Sequence, residues 1–92
     1  MPYIKKEDRV ALGEIAHLQS LVSHCTCAGE LNYVFTEILL AYVRRHGLRY
    51  QTLNDIMGAL EGAKLEMYRR MAAPYEDTKI EHNGDVYPVE GD

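Results

Sequence analysis

Apolar positions recur along this chain at the spacing of amphipathic α-helices. The first such stretch lies at about residues 6–23, where four apolar residues follow one another at intervals of four, three and four. That spacing places them on one face of a helix. The stripe consists of Ala11, Ile15, Leu18 and Val22. Residues 23–29, rich in serine, threonine, cysteine and glycine, then interrupt the pattern.

A second helix is predicted at about residues 30–46. Its broad apolar face consists of Leu31, Val34, Phe35, Ile38, Leu39, Tyr42 and Val43. Arg44, Arg45 and His46 occupy the last turn, where cations interact favourably with the helix dipole. Gly47 follows and is predicted to cap the C-terminus.

A third helix is predicted at about residues 53–72. Thr52 or Asn54 is expected to cap its first amides. Pro74 is expected to end it, because proline disfavours helical backbone at the residue before it. The predicted core stripe of this helix is Leu53, Ile56, Met57, Leu60, Met67 and Met71.

Two glycines, Gly58 and Gly62, lie four residues apart inside this third helix. Glycine in a helix costs about 1 kcal/mol relative to alanine. We therefore expect a neighbouring helix, or else a ligand, to approach the backbone closely there.

The helical pattern ends after Tyr75. The turn signal Asn83-Gly84-Asp85 and the short apolar run after it predict extended structure, and disorder is expected at residues 89–92. The predicted fold class is therefore all-α: a compact three-helix domain over residues 1–75, followed by an extended acidic tail over residues 76–92.

Length and charge bound the partners. A chain of 92 residues buries a modest share of its surface, so we expect it to assemble as a homo-oligomer. Residues 1–75 carry nine Lys or Arg against eight Asp or Glu, whereas residues 76–92 carry one against six. This balance argues against a nucleic-acid partner, which needs a basic excess. No apolar run approaches a membrane span, and no signal peptide is recognised, so the cytoplasm is the expected location.

The sequence contains no pattern that predicts catalysis, a metal site or a cofactor. Cys25 and Cys27 are too close in sequence for an unstrained disulfide, and with His24 they fall short of four zinc ligands. We expect them to be loop thiols. No Ser-His-Asp arrangement and no glycine-rich phosphate loop is recognised.

The candidate ligand-binding residues are cations and phenols, which bind phosphate and stack on flat rings. They are Tyr33, Lys64, Tyr68, Arg69, Arg70 and Tyr75. Surface ion pairing is the competing interpretation, with Glu61 pairing with Lys64 and Glu66 with Arg70. Arg69 and Arg70 point about 100° apart on a helix, so one is expected to bind and the other to pair with Glu66.

Several motifs resemble those of a family of small proteins of unknown function found in bacteria and tailed phages. They are Pro-Tyr-Ile-Lys at 2–5, Gly-Glu-Leu-Asn-Tyr at 29–33, the run from Asn-Asp-Ile to Tyr-Arg-Arg at 54–70, Ala-Pro-Tyr-Glu-Asp at 73–77 and Asn-Gly-Asp-Val-Tyr at 83–87. The resemblance covers nearly the whole chain. It implies a compact helical protein encoded by a phage or prophage, and it assigns no residue roles.

Three functions are consistent with these observations. The first is a non-enzymatic, oligomeric binding protein that sequesters an anionic, nucleotide-like ligand such as an immune signalling nucleotide, by analogy with small phage proteins of that kind. The second is an interaction or regulatory module acting on a host protein through Arg44, Arg45, His46 and Arg49. Direct DNA reading is disfavoured, because residues 47–52 are longer than a helix-turn-helix turn.

The third function is a magnesium-dependent nucleotide pyrophosphohydrolase, which resembles this chain in size and helix content. Such an enzyme needs carboxylates converging from two helices. The available ones are Glu30, Glu37, Asp55, Glu61 and Glu66. The Glu-x-x-Glu and Glu-x-x-Asp pairs of that family are missing.

Overall fold

Every regular element in the described part of the chain is helical. The computed structural model describes residues 3–13 and 15–88 and, of Ala11, the backbone alone. The elements are α1 (Lys6–Ala11), α2 (Ile15–Val22), α3 (Ala28–His46), α4 (Tyr50–Met67), a π-helical turn (Tyr68–Ala72) and α5 (Ala73–Asn83). The predicted all-α class is thus confirmed.

The first predicted helix is two helices. Between α1 and α2, Gly13 adopts a φ of +47° and its N–H donates to the carbonyl of Val10 at 3.0 Å. A positive φ cannot continue a right-handed helix, so the prediction of one helix over 6–23 is wrong. In the predicted stripe Ile15 is exposed, whereas Leu18 and Val22 are half-buried. The side chain of Ala11 lies outside the described residues.

The ends of α3 follow from local chemistry. At its start, the backbone N–H and the hydroxyl of Thr26 both donate to Glu30 Oε1, at 3.3 and 2.6 Å. These bonds lower the pKa of the Glu30 carboxyl. At its end, Gly47 has a φ of +88° and donates its N–H to the carbonyl of Val43 at 2.7 Å. The predicted cap at Gly47 is confirmed.

The N-terminus of α4 differs from the prediction. The helix begins at Tyr50, and neither Thr52 nor Asn54 caps it. Thr52 is instead 1% exposed, and its hydroxyl has no hydrogen-bond partner in the described structure. Among the described residues, only Val34 on α3 and Thr52 and Ile56 on α4 are buried. The small core therefore lies between these two helices.

One helix runs without interruption from α4 through the π turn into α5. Within the π turn, the N–H of Ala73 bonds to the carbonyl of Tyr68. The widened turn accommodates Pro74, which has no N–H to donate and whose ring crowds the carbonyl of an ordinary helical turn. At about 1.5 Å per residue, the 34 residues from Tyr50 to Asn83 account for the 54 Å long axis of the molecule.

The predictions that Pro74 ends the helix and that an extended tail begins at residue 76 are therefore wrong for residues 76–83. These residues are helical, and the helix ends at Gly84, with a φ of +87° and an N–H bond to Ile80 at 2.8 Å. A short turn follows, in which Asp85 Oδ1 accepts the N–H of Tyr87 at 2.9 Å. The disorder predicted for residues 89–92 concerns positions outside the described residues.

The chain is far from compact, which corrects the compact-domain prediction. Its radius of gyration is 17.8 Å, against about 12 Å for a compact domain of this length. It exposes 8426 Å², about 3,000 Å² more than a compact protein of its mass. Of the predicted third-helix core stripe only Ile56 is buried; Leu53, Met57, Leu60, Met67 and Met71 are exposed.

The predicted close approach at Gly58 is also wrong within the chain. A Cβ atom at Gly58 would meet nothing within 4 Å outside its own helix. Gly62 is half-buried. Within the described ranges, no helix combines the length and apolarity needed to cross a bilayer.

Candidate functional site

Three of the predicted binding residues, Tyr68, Arg69 and Arg70, lie on the π turn. This turn holds them on the surface, where Tyr68 is 54% exposed. The sequence placed them at the end of a helix. The structure places them in the middle of one, with α5 continuing beyond.

Arg69 is committed to an ion pair. Its Nη2 lies 3.0 Å from Glu66 Oε2, and the same carboxylate oxygen accepts the hydroxyl of Tyr3 at 2.7 Å. The Tyr3 and Arg69 bonds hold the pKa of Glu66 below its usual value, and the carboxylate in turn raises the pKa of Arg69. The prediction that Glu66 pairs with Arg70 is wrong, because Arg69, three residues along, takes that place.

Arg70 makes no hydrogen bond or ion pair within the described residues. This matches the expectation that one arginine of the two pairs with Glu66 while its neighbour does not. The neighbouring helical positions direct the two guanidinium groups to different sides of the helix. Arg70 is therefore the cation of the pair that a ligand can use.

Lys64 forms the predicted pair with Glu61, at 3.9 Å. Both side chains are largely exposed, at 75% and 58%, and exposed pairs of this kind contribute little to stability. Lys64 remains accessible to another partner.

Tyr75 stands on α5, just past the π turn. Lys79 Nζ lies 5.4 Å from the centre of its ring, within cation–π range. Lys79 was not among the predicted binding residues, because residues 76–92 were expected to be extended. The spacing of four between Tyr75 and Lys79 was the available signal.

Tyr33 lies elsewhere. It lines a cavity of about 530 Å³ between the end of α2 and α3, together with residues of the 23–27 loop. The imidazole, thiol and carboxyl side chains of this cavity belong to His24, Cys25, Cys27, Glu30 and Glu37. Both thiols are free, and Cys27 Sγ donates to Glu30 Oε1 at 3.4 Å. No group of three potential metal ligands is found in the described part of the chain.

A larger apolar groove of about 690 Å³ lies between α3 and α4. Phe35, Met57, Leu60, Ala63 and Met67 line it, with Glu61 and Lys64 as its charged residues. Lys64 and Tyr33 therefore belong to different cavities. The predicted set divides into Tyr33 beside α2, Lys64 in the groove, and Tyr68, Arg69, Arg70 and Tyr75 along the π turn and α5.

The basic residues predicted for an interaction module lie near the α3–α4 connection and are exposed. They are Arg44, Arg45, His46 and Arg49. The His46 ring lies against the Tyr42 ring at a tilt of 39°, with ring centres 4.3 Å apart, and Arg49 Nε donates to the His46 carbonyl at 3.2 Å. The connection is three residues, 47–49, because α4 starts early.

Tyr42 bonds to Asp55 at 3.4 Å, and Phe35 shares the groove with Met67. This pairing order makes α3 and α4 an antiparallel hairpin.

Similarity to a protein family extends over most of the chain. No curated protein and no solved structure matches it. A family model does match, over residues 1–86, which agrees with the expected resemblance to proteins of unknown function. The chain belongs to the family described as a domain of unknown function, DUF6899.

Proposed function

We propose that this protein is a non-enzymatic, self-associating binding protein, of phage or prophage type and active in the cytoplasm, that takes up an anionic, nucleotide-like ligand. An immune signalling nucleotide is the ligand class we favour, which would make the protein an anti-defence factor. The observation that carries the proposal is the difference in contacts between two adjacent arginines. Arg69 is held by Glu66, whereas Arg70 makes no hydrogen bond or ion pair in the described structure and interacts with Glu66 through its charge alone.

The residues around Arg70 supply the remaining chemistry. A guanidinium binds phosphate through two parallel hydrogen bonds. Tyr68 and Tyr75, 54% and 63% exposed, offer faces on which a base can stack. Phosphate pairing and stacking contribute roughly 1 to 3 kcal/mol each. Lys64, about one turn before Tyr68, is the remaining cation of the predicted set and is exposed in the single chain.

One chain does not form such a site by itself, because positions two apart on a helix, such as those of Tyr68 and Arg70, project to nearly opposite sides. Tyr68, Arg70 and Tyr75 stand on one helix and line neither of the two cavities described above. A ligand held on one convex surface stays largely in water, whereas binding sites bury most of their ligand. The exposed apolar surface of the chain supports assembly with further subunits, and we assign the missing part of the site to one of them. Tyr33 belongs to this proposal as a residue that another subunit brings to the site.

Calorimetric titration with mono-, di- and cyclic nucleotides tests the proposal. We expect at least one of these ligands to bind, and Arg70→Ala to weaken it by about tenfold or more. Arg70→Lys keeps the charge but loses the two-pronged geometry, so we expect an intermediate affinity. Arg45→Ala removes an exposed cation from α3 and serves as the matched control.

Failure of the whole panel to bind, or equal losses in Arg70→Ala and Arg45→Ala, would contradict the ligand proposal. The apolar surface would then favour the alternative, an interaction module that binds a host protein.

A further inference from the structure

An exposed face of α4, bordering the groove between α3 and α4, carries an apolar stripe that the described part of the chain leaves uncovered. We call it the α4 stripe; it consists of Tyr50, Leu53, Met57, Leu60, Lys64 and Met67. These positions alternate at intervals of three and four, which is the heptad spacing of helices that pack lengthwise against a partner helix. All six are exposed, Tyr50 at 87% and Met57 at 67%. Met71 continues the spacing into the π turn and is also exposed.

We infer that the α4 stripe packs against the α4 stripe of a second copy of this chain. The inference deepens the self-association part of the proposed function and does not depend on the ligand. It names the surface through which the copies meet.

The excess exposed area of one chain is large enough for a dimer interface with a second copy. The chain exposes about 3,000 Å² more than a compact protein of its mass, from a total of 8426 Å². Obligate homodimers bury about 2,000 to 5,000 Å² in total, or about 1,000 to 2,500 Å² per chain, in interfaces that resemble a domain core cut in half, so one such interface covers a large part of this excess. A chain whose described residues include three buried ones lacks a core of this kind, and pairing completes it.

The shape of the surface fits a helix. The groove beside the stripe has Phe35 of α3 on one side and Met57, Leu60 and Met67 of α4 on the other. A further cavity, lined by Tyr50, Leu53, Asn54 and Met57, shares Met57 with it. The two together extend along all of α4, about 27 Å. An α4 helix from a second copy can lie in this groove and contact both helices of the hairpin, which gives a four-helix arrangement.

Charge decides the direction of pairing. A parallel pair with aligned stripes would place Lys64 opposite Lys64 of the second copy, an unfavourable contact of like charges. An antiparallel pair with its two-fold axis near Gly62 places Lys64 opposite Leu60 of the second copy. There it lies beside that copy's Glu61. The existing Lys64–Glu61 pair, at 3.9 Å and exposed, can exchange for one between subunits. The geometry thus points to antiparallel pairing.

Sedimentation equilibrium tests the interface with matched variants. Met57→Glu puts a charge on a stripe residue that is already 67% exposed in one chain, so the hairpin itself loses little. We expect it to raise the dissociation constant of the assembly by about 100-fold, because a buried unpaired charge opposes association. Leu65→Glu places the same charge on an apolar residue that is 57% exposed and off the stripe; it should leave the constant within about threefold.

A gain-of-assembly variant guards against misfolding as an explanation. Lys64→Leu removes the polar residue from the stripe, and a polar residue at such a position costs assembly stability. We expect it to tighten the assembly by about tenfold. A wild-type monomer at micromolar concentration, equal effects of Met57→Glu and Leu65→Glu, or weaker assembly of Lys64→Leu would each overturn the inference.

Spin-label distances test the direction. With Cys25 and Cys27 replaced by serine, a label at Gln51→Cys reports the separation of the two α4 N-termini. Antiparallel pairing about Gly62 separates these positions by about 33 Å along the helix axis, whereas parallel pairing leaves them about one interhelical distance apart. A short distance overturns the antiparallel arrangement.

The failures of the two proposals are distinguishable. Nucleotide binding by a protein that does not pair through the α4 stripe would overturn this inference and keep the ligand proposal. A dimer that forms through the α4 stripe and binds none of the nucleotides would support this inference and contradict the ligand proposal.

Discussion

The hydroxyl of Tyr3 donates a 2.7 Å hydrogen bond to Glu66 Oε2, across 63 positions of sequence. It ties the start of the described chain to the C-terminal part of α4. The Glu66 side chain is only 15% exposed, and its carboxylate also forms an ion pair with Arg69. One carboxylate therefore joins the N-terminal segment and the π turn to the same point on the long helix.

This arrangement predicts a pH dependence of stability. The pKa of Glu66 is lowered in the folded protein, first by Tyr3 and then by Arg69. The unfolded chain therefore binds the proton more readily than the folded one, and the contribution of Glu66 to stability is present above its ordinary pKa of 4.5 and lost as the pH falls through the lower folded value. Carboxyl NMR should find Glu66 titrating below its ordinary value.

Tyr3→Phe removes the larger cause of that shift, so the Glu66 pKa should rise toward normal. Urea unfolding between about pH 7 and about pH 3 should then lose less stability than in the wild type. Tyr75→Phe removes an exposed phenol that bonds to no carboxylate in the described structure, and it is the control. An unchanged Glu66 pKa in Tyr3→Phe would contradict the prediction.

Thr52→Val should stabilise the protein. The Thr52 hydroxyl is buried without a hydrogen-bond partner among the described residues, and leaving such a group unpaired costs about 1 to 3 kcal/mol. Valine keeps the shape and removes the hydroxyl. We expect a gain of about 1 kcal/mol or more in urea unfolding. Thr36→Val, which deletes an exposed hydroxyl bonded to the Asn32 carbonyl at 2.9 Å, should show no such gain.

Gly58→Ala should also stabilise, by about 0.5 to 1 kcal/mol, because the position is helical and the new Cβ has open space. Gly47→Ala is the contrasting variant. At a φ of +88° an added Cβ is strained, and we expect a loss of about 1 kcal/mol. Thermal melts of both proteins check the pair. Destabilisation by Gly58→Ala would indicate that a partner approaches the backbone there after all.

Pro74→Ala should convert the π turn to ordinary α-helix. Alanine supplies an N–H and removes the ring that crowds the preceding turn. The N–H of Ala73 should then bond to Arg69 in place of Tyr68, and stability should rise by about 1 kcal/mol or more. Hydrogen-bond couplings in NMR report the change of partner. Pro88→Ala, outside the helices, is the control, and a π turn that persists in Pro74→Ala would show that proline is not its cause.

Local signals in the sequence predicted the local features. Gly47 ends α3 as expected, because one residue with a positive φ is sufficient. Gly13 acts in the same way, yet no stripe or charge pattern marked it as a break. Pro74 was expected to end a helix and does not, because a widened turn accommodates it. Proline raises the free energy of one helical turn, whereas the free-energy gain from continuing the helix comes from the residues on both sides of that turn.

The remaining differences are non-local. Periodicity predicted that Met57 and Leu60 share an apolar face, but it carries no information on whether the same chain covers that face. Spacing on a helix allowed both arginines as partners of Glu66. The choice of Arg69 accompanies the contact with Tyr3, 63 residues away, which no pattern in the sequence indicates.

The hairpin also determines how the chain folds in time. Most of the described contacts, apart from the α3–α4 pairing and the Tyr3 contact, join residues that are close in sequence, and chains with such low contact order fold fast. Helices form within about a microsecond, whereas subunit assembly takes milliseconds to minutes and depends on concentration. We therefore expect the helices to be complete long before their apolar faces are covered. The concentration of chains then sets the rate of the last folding step.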